Sequence, residues 1–345
     1  MVQHLHEVKM ERQVANQLMR DCNLTSDANG QFDDKCGSNY LHLPVYKFRR
    51  ETPDWQQRWR YRCGLQGNLF PGHLLQFSIV PPHIRTGASF GCTAYLTGLL
   101  QMHAMGKLGN EQVRQTDGGP DNDAKVTHAF HISLIHYGVL EKLTWIRLMT
   151  KHSHNLSDRC NSMIKEVIAP SKGERAAGCY APWDLEEKVK TAMRTQHGTV
   201  NVAWHMGNYD FDKFFKGCID PNFGGASAAR YYVYENDPTC TTHGNVRMTY
   251  RETLLPHPQD SLEPEWKPVE RAPDGPTPPC PRAPTPCTRP QSYSCNAAGS
   301  LQTMPQGHRV MKKFPSLSDE PPLEAFRFSE KSDVLEVGVA GDVAS

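Results

Sequence analysis

Two acidic residues stand where short apolar segments give way to polar ones: Asp117 at the end of EQVRQTD, and Asp158 a few residues beyond LTWIRLM. Carboxylates in that setting suit one kind of chemistry. A phosphodiester is negatively charged and is attacked by water or a hydroxyl, so proteins that act on it hold divalent cations on acids rather than relying on positive side chains alone. An upstream acid is available in GQFDDKCGSNYLHLP, where Asp33 and Asp34 end a strand-like stretch. Asp34, Asp117 and Asp158 then follow in the order strand, strand, helix. Acids on two neighbouring central strands and on a following helix can meet at one sheet edge and hold two Mg²⁺ or Mn²⁺ ions about 3.5–4 Å apart. Such hard cations match carboxylate oxygen.

Other residues could take part. His152 and His154 in KHSHNLSDR can satisfy backbone groups at a tight strand-to-helix turn; with Asp158 they also spell H-x-H-x-x-x-D, the two imidazoles and one carboxylate of a non-haem iron oxygenase. That alternative calls for a β-barrel around the motif. The segment YKFRRETPDWQQRWRYR interleaves Lys47, Arg49, Arg50, Arg58, Arg60 and Arg62 with Phe48, Trp55, Trp59 and Tyr61. Guanidinium groups neutralise phosphates and aromatic faces stack on bases, so Lys47, Arg49, Arg50, Trp55, Arg58, Trp59, Arg60 and Arg62 are candidate nucleic-acid contacts. The same pattern also fits a solvated segment whose aromatics enter the core. Arg85, Arg114 and Arg147 could line a cleft, but single arginines near strands more often pair with surface acids.

These residues need a scaffold. Short segments rich in β-branched and aromatic residues predict strands at GQFDD, LLQFSIV, EQVRQT, LTWIRLM, TVNVAWHM, RYYVYEN and VRMTYRE. Helices fit between them. Residues 88–105 are free of proline, and residues 121–137 place Val126, Phe130, Leu134 and Tyr137 on one stripe. After Asn155, a plausible cap, Leu156, Cys160, Met163 and Val167 recur at helical spacing and leave Asp158 in the first turn, at the positive end of the helix. PWDLEEKVKTAM is a further helix with acids in its first turns. Mixed α/β architecture follows.

DDKCGSNYLHLP, QTDGGPDNDAK and KHSHNLSDR together resemble the motifs of a large group of transposon-derived domains, in which a first-strand acid precedes Q-x-D-N-C-G-G-Q-N-K-N and G-H-T-H-N-x-x-D. The resemblance spans roughly Gly30 to Arg251. Lys151 replaces the glycine before the HxH, Gly118 the asparagine after the central acid, and Asp121-Asn122-Asp123 stands where Q-N-K is common. The resemblance implies an RNase H-like mixed sheet flanked by helices, related to DDE transposases and integrases, with its acids on Asp34, Asp117 and Asp158. It also implies that His152 and His154 contact a scissile phosphate, assist proton transfer or orient Asp158. The partner would be DNA, met in the nucleus of a cell.

Composition sets the bounds. A net charge of +1 excludes a strongly basic nucleic-acid binder, although 38 Lys and Arg can still concentrate on one face. No signal-peptide core, membrane-length apolar run or nucleotide-binding glycine loop is evident, and 11 scattered cysteines without a CxxC pair read as reduced thiols of an intracellular protein. Sixteen of the 26 prolines lie beyond Leu255, so residues 256–345 read as a disordered proline-rich tail, in which DVLEVGVAG is a candidate docking strand. The expected organisation is a helical extension over 1–29, an RNase H-like domain over 30–255 and the tail over 256–345. The 29 residues before the domain are fewer than a separate DNA-binding domain requires. That shortage and the long tail support a second reading, the same fold kept as a non-catalytic nucleic-acid-binding or protein-interaction module.

Overall fold

Apolar strand segments bounded by turns, with amphipathic helices between them, build a layered α/β structure. The computed structural model describes residues 2–24, 27–36, 41–43, 61–82, 84, 86–117, 124–148, 156–168, 178–204, 207–220, 223, 229–239, 245–252, 254, 302–303, 311 and 313–315. In chain order the elements are α1 (Val2–Leu24), β1 (Ala28–Cys36), β2 (His42–Leu43), β3 (Tyr61–Arg62), β4 (Gly64–Phe70), β5 (Leu74–Val80), α2 (Ala88–Ala104), β6 (Glu111–Asp117), α3 (Lys125–His136) and β7 (Lys142–Leu148). They continue with α4 (Leu156–Ile168), α5 (Pro182–Met193), β8 (Thr199–Trp204), α6 (Phe211–Phe214), β9 (Tyr231–Asn236), β10 (Val246–Arg251) and β11 (Gln302–Thr303).

Among the described residues, nine strands form one mixed sheet in the order β11-β10-β9-β7-β6-β1-β4-β5-β8, and β2 pairs with β3 apart from it. β1, β4 and β5 run antiparallel in succession, whereas β1, β6 and β7 run parallel. The register sets Asp34 opposite Gly67, Phe32 opposite Gln115, and Asp117 opposite Leu148. Side chains alternate along each strand, so the sheet presents two distinct faces. One packs on α2 and α3, through Tyr95, Leu99 and Met102 against Phe70, Trp145 and Tyr234. The other packs on α4 and α5, through Cys160, Ile164, Leu185 and Val189 against Leu65, Leu69, Leu75 and Phe77. α1 lies on this second face, with Ala15 beside Ile146 and Leu148 and with Met19 beside Phe32. Arg230 Nη1 donates to Glu11 at 2.8 Å and holds the helix to the start of β9.

All seven predicted strands are present, but β4 was not among them. Gly64, Gln66, Gly67 and Asn68 have low strand propensity, yet the strand is buried on both sides of a central sheet position. α3 also departs from expectation. Instead of a single stripe, Val126 to Ile135 are buried without a break, because α3 is enclosed by the sheet, α2, α6 and a returning C-terminal segment. α4 is rotated from its predicted stripe: Ser157, Cys160, Asn161, Ile164 and Ile168 are buried, while Leu156, Met163 and Val167 are half-buried against α5 and the sheet. In α5, Asp184 caps the start by accepting from the Tyr180 and Ala181 backbone N–H groups at 2.9 and 3.0 Å.

Within the expected tail, several residues lie on the folded domain. Gln302 and Thr303 pair with Tyr250 and Thr249, and Met311 is buried and bridges Ile219. Phe314 stacks on His136 with ring centroids 3.6 Å apart, and the Tyr137 hydroxyl donates to the Pro315 carbonyl. DVLEVGVAG lies outside the described residues. No described helix is long and apolar enough to cross a membrane. Cys22, Cys63, Cys92, Cys160, Cys179 and Cys218 are buried free thiols.

Candidate functional site

Asp117 is the last residue of β6 and is half-buried at the carboxyl end of a central strand. Asp34 lies on neighbouring β1, two residues beyond the Phe32–Gln115 pair, as Asp117 is two residues beyond it on β6. Asp158 is in the first turn of α4 and is half-buried; its carbonyl accepts from the Ser162 hydroxyl at 2.9 Å. The glycine opposite Asp34 seats this helix: a Cβ at Gly67 would lie 3.1 Å from Ser157 Oγ. The elements that carry Asp34, Asp117 and Asp158 are thus adjacent: β1 neighbours β6, and α4 packs on β1 and β4.

Asp33 is 3 % exposed and points to the α2–α3 face, where one carboxylate oxygen accepts from Arg114 Nη2 and the other from Gln66 Nε2. Burial pushes its carboxyl above the ordinary range and the Asp117 charge adds to the push, while Arg114 and Gln66 oppose it. Arg114 is 1 % exposed; its Nη1 lies 2.6 Å from His131 Nε2 and its guanidinium is 4.1 Å above the Tyr95 ring. Arginine can only donate, so His131 Nε2 accepts and the ring proton resides on Nδ1. Burial, with Arg114 and His128 adding, holds the His131 pKa well below its ordinary value.

The expectation that Arg114 and Arg147 meet surface acids is corrected. Arg114 is in a buried ion pair, and Arg147 is buried against Trp145, with Nη1 donating to the Ala229 carbonyl at 3.2 Å. A central strand site beneath a helical layer leaves them no route to solvent. The polar layer around Arg114 was missed altogether. Gln31 donates to Asn68 at 2.9 Å, the Tyr95 hydroxyl donates to Gln112, and Asn201 donates to Gln76 at 2.8 Å, nearly all buried. Its sequence signal is polar residues at alternate strand positions: Gln31 and Asp33, Gln66 and Asn68, Gln112 and Arg114.

Among the remaining candidates, Arg62 is exposed on β3. His152, His154, Arg85, Lys47, Arg49, Arg50, Trp55, Arg58, Trp59 and Arg60 lie outside the described residues, as does the Asp34 side chain. Among the described residues, no three His, Cys, Asp or Glu side chains converge as a metal-ligand group. Three buried oxygens on β6 and α4, Gln115 Oε1, Ser157 Oγ and Asn161 Oδ1, have no hydrogen-bond partner among the described residues. The barrel required by an oxygenase is not formed: the sheet is open, and the residues after the HxH form helix α4. Comparison with protein-family models, curated proteins and solved structures returned no match.

Proposed function

We propose that this chain is an RNase H-like, transposon-derived domain that acts on DNA phosphodiesters at the edge where β1, β6 and α4 meet. The observation that carries the proposal is positional. Asp34 and Asp117 are on neighbouring parallel strands, each two residues beyond the Phe32–Gln115 pair, and the helix bearing Asp158 packs at Gly67, the residue paired with Asp34. Asp117, on the central strand, would hold both of two Mg²⁺ or Mn²⁺ ions, with Asp34 and Asp158 each completing one. Bound in that way, the ions supply an activated water or DNA 3′-hydroxyl and neutralise charge at the phosphate. His152 and His154, in the connection from Leu148 to Leu156, would orient Asp158 or carry a proton to the leaving oxygen. Lys47, Arg49, Arg50, Trp55, Arg58, Trp59, Arg60 and Arg62 would hold the DNA strand, through phosphates and stacked bases.

Calorimetric titration of Mg²⁺ and Mn²⁺ into the whole chain and its Asp117→Asn variant, with and without a DNA duplex, tests this. Binding by the wild type that disappears in a folded variant is the expected result. A variant that unfolds assigns Asp117 to structure, and absence of binding in the wild type even with DNA removes the metal site. DNA binding without cation binding would instead identify a non-catalytic module of the same fold.

A further inference from the structure

We infer that the side of β10 away from β9, with the carboxyl end of α3 and Ile219, is a docking site for an extended peptide that carries a methionine and, three residues on, an aromatic–proline pair; residues 302–315 occupy it in cis as a tethered ligand. This goes beyond the proposed function and does not depend on it. The contacts are those of a bound peptide. Gln302 and Thr303 add a short strand to the sheet opposite Tyr250 and Thr249, and Met311 makes an isolated antiparallel bridge to Ile219. In strand addition the main chain supplies affinity and side-chain pockets supply specificity. Two anchors fill such pockets here. Met311 is buried with its Sδ 3.9 Å from Ser133 Oγ, and Phe314 stacks on His136 while the Tyr137 hydroxyl donates to the Pro315 carbonyl.

The domain builds this seat without help from its occupant. β10 pairs with β9 along its whole length, Val246–Arg251, so its register is set before β11 arrives. The ring that receives Phe314 is held from the other side: His136 Nδ1 lies 2.6 Å from Asn245 Oδ1, and Asn245 Nδ2 donates to Asn236 at 2.8 Å. A surface fixed in advance loses little freedom when a peptide binds. Residues 302–315 reach it only across the proline-rich residues 255–301. A ligand held by such a tether has an effective concentration in roughly the millimolar range, and a free peptide of the same chemistry must compete against it. Weakening the tethered copy therefore opens the seat, whereas a segment that is core in the ordinary sense would leave only with the rest of the fold.

The test is fluorescence anisotropy of a labelled peptide with the sequence of residues 300–317, titrated with the whole chain as wild type and as Met311→Asp, each checked for cooperative unfolding. Binding at least about tenfold tighter to the M311D chain than to the wild type is expected, because the variant has lost its tethered competitor. The same peptide carrying M311D should bind neither chain. Equal affinity for the two chains, no binding to the variant, or equal binding of the two peptides overturns the inference. Hydrogen exchange on the wild type decides the matter if M311D does not fold: residues 302–315 should exchange through an opening that leaves β7 protected, and exchange only together with β7 assigns them to the core and overturns the inference. Concentration-dependent dimerisation of the wild type in light scattering would give the seat to residues 302–315 of a second copy and overturn occupancy in cis.

Discussion

The two faces of the central sheet solve burial in opposite ways. Beneath α4 and α5 the strands present Leu65, Leu69, Leu75, Phe77 and Ile79, an apolar layer that needs no partners beyond close packing. Beneath α2 and α3 the same strands present Gln66, Asn68, Gln76 and Ser78, joined by Gln31, Asp33, Gln112 and Arg114, all buried. Such a layer is stable only when its donors and acceptors find one another, and a broken partnership there leaves a bare polar group in a low-dielectric interior. The apolar face loses stability in proportion to the volume removed; the polar face loses it by discrete interactions.

The largest expected effect breaks the polar face. Asp33→Asn or Arg114→Met alone leaves an uncompensated buried partner and should cost about 3–5 kcal/mol in urea unfolding, whereas replacing both with apolar residues of similar volume should recover most of the loss. Additive losses in the double variant would show that the pair is not coupled. On the apolar face, Phe77→Ala should cost about 3–5 kcal/mol through a cavity, with no such rescue by a second substitution.

A pH titration of stability separates the faces without mutation. His128, enclosed by Trp145, Phe223 and Tyr232 and 2.8 Å from the Tyr234 hydroxyl, has its pKa lowered from 6.5 to about 3 by burial, with Arg147 adding; His131 is lowered as well. Both stay neutral in the fold where the unfolded chain takes up protons. Their contribution is thus intact above 6.5 and is lost as pH falls toward 3. Near pH 5 the loss should be about 2 kcal/mol for His128, with His131 adding in the same direction. Asp33, raised in the fold, acts in the opposite sense in the acid range, since it binds its proton at a higher pH in the folded state than in the unfolded chain. Chemical denaturation between pH 7.5 and 5 should therefore show declining stability in the wild type and a shallower decline in His131→Phe.

Smaller effects probe the contact between the apolar face and the acid edge. Gly67→Ala inserts a methyl group 3.1 Å from Ser157 Oγ, displaces the first turn of α4 and should cost about 1–3 kcal/mol. Loss of Mg²⁺ affinity beyond the loss of stability would show that Asp158 moves with the helix. Phe314→Ala removes the stack on His136, remote from the acid edge, and should cost about 1 kcal/mol with Mg²⁺ affinity unchanged.

How much of this was legible depended on how locally each feature is encoded. β5 and β7 are rich in aliphatic, β-branched and aromatic residues, and both were evident in the sequence. The placement of Asp117 at the end of a strand and of Asp158 in the first turn of a helix was likewise evident, since acids following such segments stand out. β4 was hidden by its glycines and amides, whose burial depends on partners elsewhere in the chain. Arg114 was misread because its carboxylate lies 81 residues away, a distance that local charge patterning does not cross. α4 could be placed as a helix from its periodicity, but its rotation was set by having two neighbours, α5 and the sheet.

Because Gln302 and Thr303 pair with β10, and Met311 and Phe314 seat on the rest of the domain, the folded unit reaches well past the change in composition at Leu255. A stop codon anywhere before Met311 would therefore strip a buried side chain from the cover of α3, and its effect would reach the core.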